Sequence, residues 1–396
     1  MKNQKTTFVV VENAVQFRFE FAGLPVWEAT LEQGMLHISM RFTANEIPLT
    51  LSAPASVGDE VTFTYRPYRL ELAVNGVLVD EEWPFGEDYL TDAQQTVSNV
   101  TLHQTDVEES PEEPSFSGNF TNAQGWCPGN GVFVGDCMPY THNDRYHLLF
   151  LKDRHHHHSK WGLGAHQWAH ISTADFTSWD IHPMAVEIDD PLEGSICTGS
   201  HIYENGRHLL YYTIRKADGT PATIQRSVSY DGYHFQKDPD FQLLLSQRYY
   251  GVSARDPKVF RGEDGLLHML VTTTDLTLSK GCLAHLTSLN GDDWEEQGNV
   301  FIREDREPEC PDYFKINDTY YLVRDGYYHY SREPMSGWIQ PDNNKIPCGS
   351  VPKGSFWHGR LIFAGFNGNG KYAGTLTFLE AIQQPDQTLR FIPFQL

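Results

Sequence analysis

The most regular pattern in the chain is a short apolar segment that recurs from about residue 115 to the end. A polar turn precedes most of these segments, and a third strand-like stretch that runs towards an aromatic residue follows each one. The apolar segments are Tyr146–Phe150, His208–Tyr212, Leu267–Val271, Tyr320–Val323 and Leu361–Phe363. Apolar runs of strand length between turns, without helical periodicity, indicate β-structure. Five such units predict an all-β fold with a five-bladed β-propeller over residues 115–396.

The first part of the chain, residues 1–103, shows shorter strand-like segments in which apolar and polar residues alternate. The clearest local signal is Asn75-Gly76 between Arg69–Val74 and Val77–Val79, because Asn-Gly between alternating strands is typical of a two-residue hairpin. We therefore expect an N-terminal β-sandwich module, which is similar to concanavalin-like lectin modules. The next segment, residues 104–114, is acidic, contains two prolines and lacks periodicity, so we interpret it as a linker.

Composition limits the class of protein and its partners. The 396 residues suffice for two domains, and 40% hydrophobic residues can form a large core. A net charge of −22 argues against nucleic acid and anionic membranes as partners and fits a neutral substrate. The start of the chain has too short an apolar run for a signal peptide, and no stretch has the length and apolarity of a membrane span. We expect a cytoplasmic protein.

The cysteines do not indicate a structural metal or a disulfide scaffold. No C-x-x-C pair occurs, so a structural zinc site is not expected. Their wide spacing in a large chain differs from the dense cysteines of disulfide-stabilised domains. The six residues are Cys127, Cys137, Cys197, Cys282, Cys310 and Cys348. We expect neither a metal nor another cofactor.

Three acidic residues precede the apolar strand of blades one, three and four at a similar distance. Asp136, Asp256 and Glu309 each lie ten or eleven residues before the core of that strand, with a turn between. The innermost strand of each propeller blade lines the central channel, so the three carboxylates are expected to converge. The corresponding segments of blades two and five, Ser195–His201 and Gly349–Lys353, lack an acid. Converging carboxylates indicate acid/base and nucleophilic chemistry on a sugar.

Four segments resemble, in the same order, motifs of glycoside hydrolase family 32, whose members and those of the related family 43 are five-bladed propellers that act on furanosides. Trp161–His170 resembles the family's Trp-Gly…His-Trp-Gly-His segment, and Cys197–Ser200 resembles its Phe-Ser-Gly-Ser motif. Ala254–Pro257 contains the Arg-Asp-Pro motif, and Pro308–Asp312 contains the Glu-Cys-Pro motif. The resemblance spans roughly residues 125–390 and implies the propeller fold and a glycosidase activity.

The resemblance also implies roles for the acids. Asp136 corresponds to the nucleophile, Glu309 to the general acid and base, and Asp256 to the residue that stabilises the transition state. Arg255 beside Asp256 is expected to bind sugar hydroxyls. A general acid must stay protonated near neutral pH, which requires burial or a neighbouring carboxylate at Glu309. We expect a retaining mechanism.

The sequence departs from the family in two places. Members that cleave fructans and sucrose carry Trp-Met-Asn-Asp-Pro-Asn-Gly around the nucleophile, whereas here Gly135 replaces the Asn and Cys137 replaces the Pro. The family's β-sandwich usually follows the propeller, but here the sandwich-like module precedes it. Both departures concern substrate contacts rather than the fold.

Further residues are candidates for sugar binding. Trp161 and Trp168 are predicted to form a stacking wall, with packing within the blades as the alternative. Ser200 lies in a segment that resembles a family motif, and His166 and His201 are predicted hydrogen-bonding residues of the channel. The alternative for both histidines is a satisfied place in the core.

The chain also contains four consecutive histidines, His155–His158. Neutral imidazoles bind metals, but adjacent residues of an extended segment point to opposite sides and cannot all bind one ion. We expect a rim loop near the channel mouth, with a role in a substrate subsite or in loop structure. A metal site is the alternative.

The sequence therefore predicts a retaining glycoside hydrolase that cleaves a furanosidic, foremost β-fructofuranosidic, bond of a small oligosaccharide. One alternative is an inverting arabino- or xylofuranosidase, or a fructosyltransferase, of the same clan. Another is a non-catalytic carbohydrate-binding propeller, against which the three acids argue. The sugar, the linkage, the role of the module and homo-oligomer formation stay open.

Overall fold

The computed structural model describes residues 4–42, 48–66, 69–83, 92–107, 119–129, 131–158, 166–190, 193–216 and 218–396. In these residues the secondary structure consists of β-strands and one short 3-10 helix, Gly251–Ser253. A helix long and apolar enough to cross a membrane does not occur among them.

The N-terminal module consists of two five-stranded sheets that share one core. Its strands are β1 (Gln4–Val9), β2 (Val15–Phe21), β3 (Leu24–Glu32), β4 (Met35–Met40), β5 (Leu49–Pro54), β6 (Glu60–Arg66), β7 (Arg69–Val74), β8 (Val77–Glu82), β9 (Gln94–Ser98) and β10 (His103–Asp106). One sheet has the order β10-β1-β6-β7-β8 and the other β5-β4-β3-β2-β9. Apolar residues from both sheets, such as Phe17 and Phe63, pack in one cluster. The predicted hairpin at Asn75-Gly76 joins β7 to β8, with both residues in the left-handed region.

The segment after the module differs in part from the predicted linker. Residues 104–106 belong to β10 and pair with β1, so they are part of the module's sheet. Residues 108–114 of the predicted linker lie outside the described residues. The domain bounds at residues 103 and 115 stay a prediction.

Five further sheets follow along the chain. Their strands are β11 (Asn119–Thr121), β12 (Val132–His142), β13 (Arg145–Arg154), β14 (Gln167–Thr173) and β15 (Ser178–Val186) in blade one; β16 (Glu193–Glu204), β17 (Arg207–Lys216), β18 (Thr223–Ser229) and β19 (Gln236–Leu243) in blade two; β20 (Arg255–Arg261), β21 (Leu267–Asp275), β22 (Lys280–Ser288) and β23 (Glu295–Arg303) in blade three; β24 (Asp312–Ile316), β25 (Thr319–Arg324) and β26 (Tyr327–Ser331) in blade four; and β27 (Ser350–Trp357), β28 (Arg360–Asn367), β29 (Thr375–Gln383) and β30 (Leu389–Pro393) in blade five. Consecutive strands of each blade pair antiparallel, and β11 adds to β15 at the outer edge of blade one.

A hydrophobic cluster lies between each pair of neighbouring blades and closes the ring. Each cluster has members from both blades: Trp168 and Tyr212 for blades one and two, Tyr211 and Met269 for two and three, Leu270 and Leu322 for three and four, Tyr321 and Phe363 for four and five, and Phe366 and Tyr146 for five and one. A backbone bridge between Val134 and Gly374 also joins the last blade to the first. The predicted fold class, an all-β propeller with an N-terminal sandwich, is confirmed.

The innermost strands of blades one, two, three and five bulge at a common level of the channel. Register shifts occur between Val134 and Cys137, Ile196 and Gly199, Arg255 and Lys258, and Ser350 and Lys353. Such bulges turn side chains towards new directions and are frequent beside active sites. Asp136 is the second unpaired residue of its bulge, Asp256 is the first of its own, and Glu309 precedes β24. The three acids therefore surround one level of the channel without sharing one register position.

Gly199 is the glycine with the tightest surroundings at this level. An added Cβ would lie 1.9 Å from the Tyr211 carbonyl oxygen and 2.9 Å from the Trp168 ring, and neither can move because both are buried. We expect Gly199→Ala to lower the free energy of unfolding by about 3 kcal/mol or more in urea titrations. Gly129→Ala is the control, because its Cβ would meet only the Val79 carbonyl oxygen at 3.7 Å. Equal losses in the two variants would contradict this packing.

Candidate active site

Asp136 lies at the bulge of β12 and accepts hydrogen bonds from two other blades. The Thr198 hydroxyl donates to Oδ2 at 2.5 Å, and the Tyr372 hydroxyl donates to Oδ1 at 3.0 Å. Burial and the Asp136 carboxylate raise the pKa of Tyr372, so its hydroxyl stays protonated. Only 7% of the Asp136 surface is exposed. The carboxylate is therefore fixed by neutral donors from both sides.

Asp256 lies close to Asp136, with Cys310 between them. Cys310 Sγ is 3.6 Å from Asp136 Oδ2 and 3.5 Å from Asp256 Oδ2, and the Cys310 amide donates to Asp256 Oδ2 at 3.0 Å. Both Asp256 and Cys310 have positive φ angles, which direct their side chains into this contact. Burial raises the pKa of Asp256, against the opposing charges of Arg255 and Lys353. Burial and the two carboxylates raise the pKa of the Cys310 thiol, which stays neutral.

Arg255 connects this pair to Glu309. Its Nη2 donates to Glu309 at 2.6 Å, its Nη1 donates to Glu307 at 2.5 Å, and its Nε lies 3.7 Å from Asp256 Oδ2. The Glu309 side chain is 56% exposed, so the burial expected of a protonated general acid is not found. Its backbone is held at Asp325, whose carboxylate accepts from the Glu309 amide. The structure thus brings all three predicted acids and Arg255 into one site.

Several residues of this site were missed by the sequence reasoning. Thr198 occupies in blade two the bulge position that Asp136 occupies in blade one, and that equivalence is the signal that could have revealed it. Lys353 is buried and its Nζ donates to the Gly199 carbonyl at 3.2 Å. Tyr372 comes from the turn between β28 and β29, which has no sequence signal of its own. Glu307, a partner of Arg255, was also missed.

Gly135 explains one departure from the family pattern. A Cβ at this position would lie 2.7 Å from the Tyr372 hydroxyl and 2.8 Å from the Leu151 carbonyl oxygen. Glycine therefore leaves the space through which Tyr372 reaches Asp136, and an asparagine would collide with it. Cys137, the other departure, is fully buried in the cluster between blades one and five.

Three of the predicted sugar-binding residues make contacts between blades, and their role in sugar binding stays a prediction. Trp168 has no exposed surface, and its indole nitrogen donates to the Cys197 carbonyl at 3.0 Å. The Ser200 hydroxyl donates to the Pro257 carbonyl at 2.8 Å and accepts from the amide of the β20 residue Val259. His201 bonds His208 and stacks on Tyr140. Their polar atoms are satisfied by neighbouring strands.

The remaining candidates lie near Tyr372 or outside the described residues. His166 is buried, bonds Asp153 through Nε2 at 2.8 Å, and stacks 5.0 Å from the Tyr372 ring. It therefore contacts the residue that donates to Asp136. Trp161 lies outside the described residues. Roles of these residues in sugar binding stay predictions.

The four histidines His155–His158 lie between Tyr372 and the N-terminal module, with alternate side chains bound on opposite sides. Among the residues that the structure describes, no group of three or more His, Cys, Asp and Glu is arranged to hold a metal ion. All six cysteines are free thiols.

His201 belongs to a cluster of buried histidines between blades one and two. Burial lowers the pKa of His147 from 6.5 to about 3 and the pKa values of His182 and His208 from 6.5 to about 4. These imidazoles regain a pKa near 6.5 on unfolding, so below that pH the unfolded chain binds more protons than the folded one. The stability from this cluster is therefore present above pH 6.5 and falls as the pH is lowered towards 4.

We expect the urea midpoint to fall already between pH 6.5 and about 5. Carboxylates whose pKa is lowered by folding, such as Asp231, contribute little in this pH range, because the pKa of an aspartate in the unfolded chain is 3.8. His182→Gln should make the decrease shallower, since it removes one of the titrating groups. A midpoint that is constant over this range would contradict the neutral state of the cluster.

Curated proteins of known activity show sequence similarity to part of this chain. The chain is 28% identical to sucrose-6-phosphate hydrolase of Escherichia coli over 56% of its own length and 45% of that protein. It is 28% identical to raffinose invertase of Escherichia coli over 46% of its length and 38% of that protein. The matched part is thus less than half of each of these curated relatives.

Solved structures share the fold at low identity. Sucrose-6-phosphate hydrolase from Lactobacillus gasseri is 17% identical with a TM-score of 0.54, covering 67% of this chain and 63% of that chain. A family 43 β-xylosidase/α-arabinofuranosidase from a compost metagenome is 14% identical with a TM-score of 0.52, covering 69% of this chain and 98% of that chain. The model of the N-terminal domain of glycosyl hydrolases family 32 matches residues 136–347. Because this match spans more than half of the sequence, the chain belongs to glycoside hydrolase family 32.

Proposed function

We propose that the protein is a retaining glycoside hydrolase that cleaves a furanosidic, foremost β-fructofuranosidic, bond of a small oligosaccharide. The observation that carries the proposal is the buried pair Asp136 and Asp256, separated by Cys310 and linked to Glu309 through Arg255. The names of the related sucrose-6-phosphate hydrolases and raffinose invertase support a fructoside as the substrate class.

In this proposal Asp136 attacks the anomeric carbon and forms a glycosyl-enzyme. Glu309 protonates the leaving oxygen and then removes a proton from the water that releases the sugar. The hydrogen bonds from Thr198 and Tyr372 orient the Asp136 carboxylate before the attack.

Asp256 stabilises the transition state by accepting hydrogen bonds from sugar hydroxyls. Its burial makes these bonds strong, because they form away from water. Arg255 already holds Glu307 and Glu309, so its guanidinium keeps the acid/base residue beside the pair of aspartates. Lys353 offsets part of the negative charge that three neighbouring carboxylates create.

The partners and the location follow as inferences from composition. The net charge of −22 supports a carbohydrate substrate and opposes nucleic acid and anionic membranes as partners. A cytoplasmic location and homo-oligomer formation stay hypotheses.

The test is hydrolysis of a panel of sucrose, sucrose 6-phosphate, raffinose, kestose, inulin and levan oligosaccharides, and nitrophenyl arabinofuranoside, with the product anomer followed by NMR. Release of fructose with retention is the expected result. Cleavage of the arabinofuranoside alone, with inversion, would favour the mechanism of the neighbouring family. Binding of these sugars without turnover would overturn the proposal in favour of a carbohydrate-binding propeller.

A further inference from the structure

The N-terminal module meets the propeller through three consecutive buried acids at the end of β8. Asp80, Glu81 and Glu82 have at most 2% of their surface exposed. Side chains of successive strand residues alternate in direction, so their common burial requires that the strand end be enclosed by another part of the protein. Glu81 is paired with the buried Lys152 of β13 at 2.7 Å. Buried charges are costly unless they are paired, so this is a specific interface.

The other two acids bind alternate histidines of the loop after β13. His155 Nε2 lies 3.1 Å from Asp80 Oδ1, and His157 Nε2 lies 2.6 Å from Glu82 Oε1. Burial lowers the pKa of His155, but the hydrogen bond to Asp80 and the charge of Glu82 outweigh it and raise the pKa above 6.5. The module thus holds one side of the loop with charge-assisted contacts.

The intervening histidines contact the residue that holds Asp136. His156 Nδ1 lies 2.8 Å from the Tyr372 carbonyl oxygen, and the His158 ring stacks on the Tyr372 ring at 4.4 Å. His155, His156 and His158 all have positive φ angles, a conformation that costs free energy in residues other than glycine. The contacts on both sides of the loop offset this cost.

A continuous series of contacts therefore runs from the module to Asp136. Glu82 binds His157, the neighbouring histidines bind Tyr372, and the Tyr372 hydroxyl donates to Asp136 Oδ1 at 3.0 Å. Asp153 closes the loop from the propeller side by accepting from the His158 amide at 2.9 Å.

We propose that the N-terminal module is part of the active site, and that Asp80 and Glu82 are positioning residues that act on Asp136 through the histidine loop and Tyr372. This inference rests on the proposed function for its effect on turnover. A module that merely accompanied the propeller would not need its buried acids directed at the histidine loop that contacts Tyr372.

The test compares Glu82→Gln and Asp80→Asn with Glu187→Gln. Glu187 pairs with Arg69 across the same interface at 2.5 Å, and Arg69 keeps Glu71 at 3.3 Å, so this control weakens docking without touching the loop. We expect kcat to fall about tenfold in the two loop-facing variants, because a small displacement of a nucleophile has a large effect on rate. KM should change less than kcat, and the control should keep the unaltered rate.

A double-mutant cycle separates positioning from general destabilisation. Tyr372→Phe removes the hydroxyl that contacts Asp136, and Glu82→Gln should cause no further loss of kcat in that background. Losses that multiply would overturn the inference. If Glu82→Gln does not fold, His157→Gln interrupts the same contact from the propeller side and is expected to behave in the same way.

A readout without turnover distinguishes this inference from the proposed function. Cys310 Sγ lies 3.6 Å from Asp136 Oδ2, so displacement of Asp136 should raise the rate at which iodoacetamide modifies Cys310, as followed by peptide mass spectrometry. A several-fold rise in the rate of Cys310 modification in Glu82→Gln, but not in Glu187→Gln, supports the inference. This holds even if no sugar of the panel is cleaved, because that result would contradict only the proposed function. If the unaltered protein turns over substrate, and both kcat and the rate of Cys310 modification are unchanged in Glu82→Gln, the inference is overturned.

Discussion

Asp136→Asn is expected to lower kcat by about 10⁴-fold or more while leaving the protein folded. An amide has nearly the shape of a carboxylate but cannot attack the anomeric carbon. Its oxygen can still accept from Tyr372, and the Thr198 hydroxyl can rotate to accept from the new amide nitrogen. The loss should therefore be in chemistry rather than in stability, and kcat measured beside the thermal unfolding midpoint checks both.

The matched control is Asp144→Asn, an exposed carboxylate in the turn after the same strand. Asp144 has a positive φ of 61°, which asparagine tolerates as well as aspartate, so neither stability nor kcat should change. Substantial turnover in Asp136→Asn would remove Asp136 from the role of nucleophile. A small molecule such as azide should restore turnover in Asp136→Gly with inversion at the anomeric carbon, since it attacks from the face that the carboxylate has left.

The blades were predictable because the second strand of each blade is buried on both faces. Segments such as Tyr146–Phe150 and Leu267–Val271 are apolar except for one histidine each, which an exposed strand would not be, and they recur with the period of the fold. The Asn75-Gly76 hairpin was predictable for a local reason, because its left-handed backbone favours these two residues.

The direction of individual side chains was not predictable. A bulge moves a residue to the other face of its strand, so motif resemblance identified Ser200 and Trp168 without revealing that they face neighbouring blades. Tyr372 lies 236 residues from Asp136 along the chain and reaches it only because the ring closes between blades one and five. The sequence around Tyr372 contains no pattern that predicts this contact between the first and last blades.

The acids at the end of β8 were unpredictable for a similar reason. A sequence such as Asp80-Glu81-Glu82 ordinarily indicates a solvated surface, because unpaired charges are not buried. Here the partners are Lys152 and the histidine loop, which lie in another domain of the fold. The burial of a charge run thus depends on contacts that only the folded chain brings together.

Glu309→Gln is expected to lower kcat/KM for a sugar leaving group by about 10³-fold, within the range of general acid catalysis. The glutamine cannot donate a proton to the leaving oxygen, but nitrophenolate leaves without one, so a nitrophenyl furanoside should lose far less in the first step. The side chain is 56% exposed and its pair with Arg255 lies at the surface, so the substitution should cost little stability.

The control for Glu309→Gln is Glu307→Gln, which removes the other carboxylate held by Arg255. If Arg255 merely needs an anion beside it, the two variants will show the same loss with every leaving group. If Glu309 is the acid and base, only its variant will depend on the leaving group, and azide will restore turnover with retention because the Asp136 adduct still forms. In Asp136→Gly azide attacks the anomeric carbon from the face that the nucleophile has left, and in Glu309→Gln it attacks the Asp136 adduct from the opposite face. The two stereochemical outcomes therefore assign the two carboxylates independently.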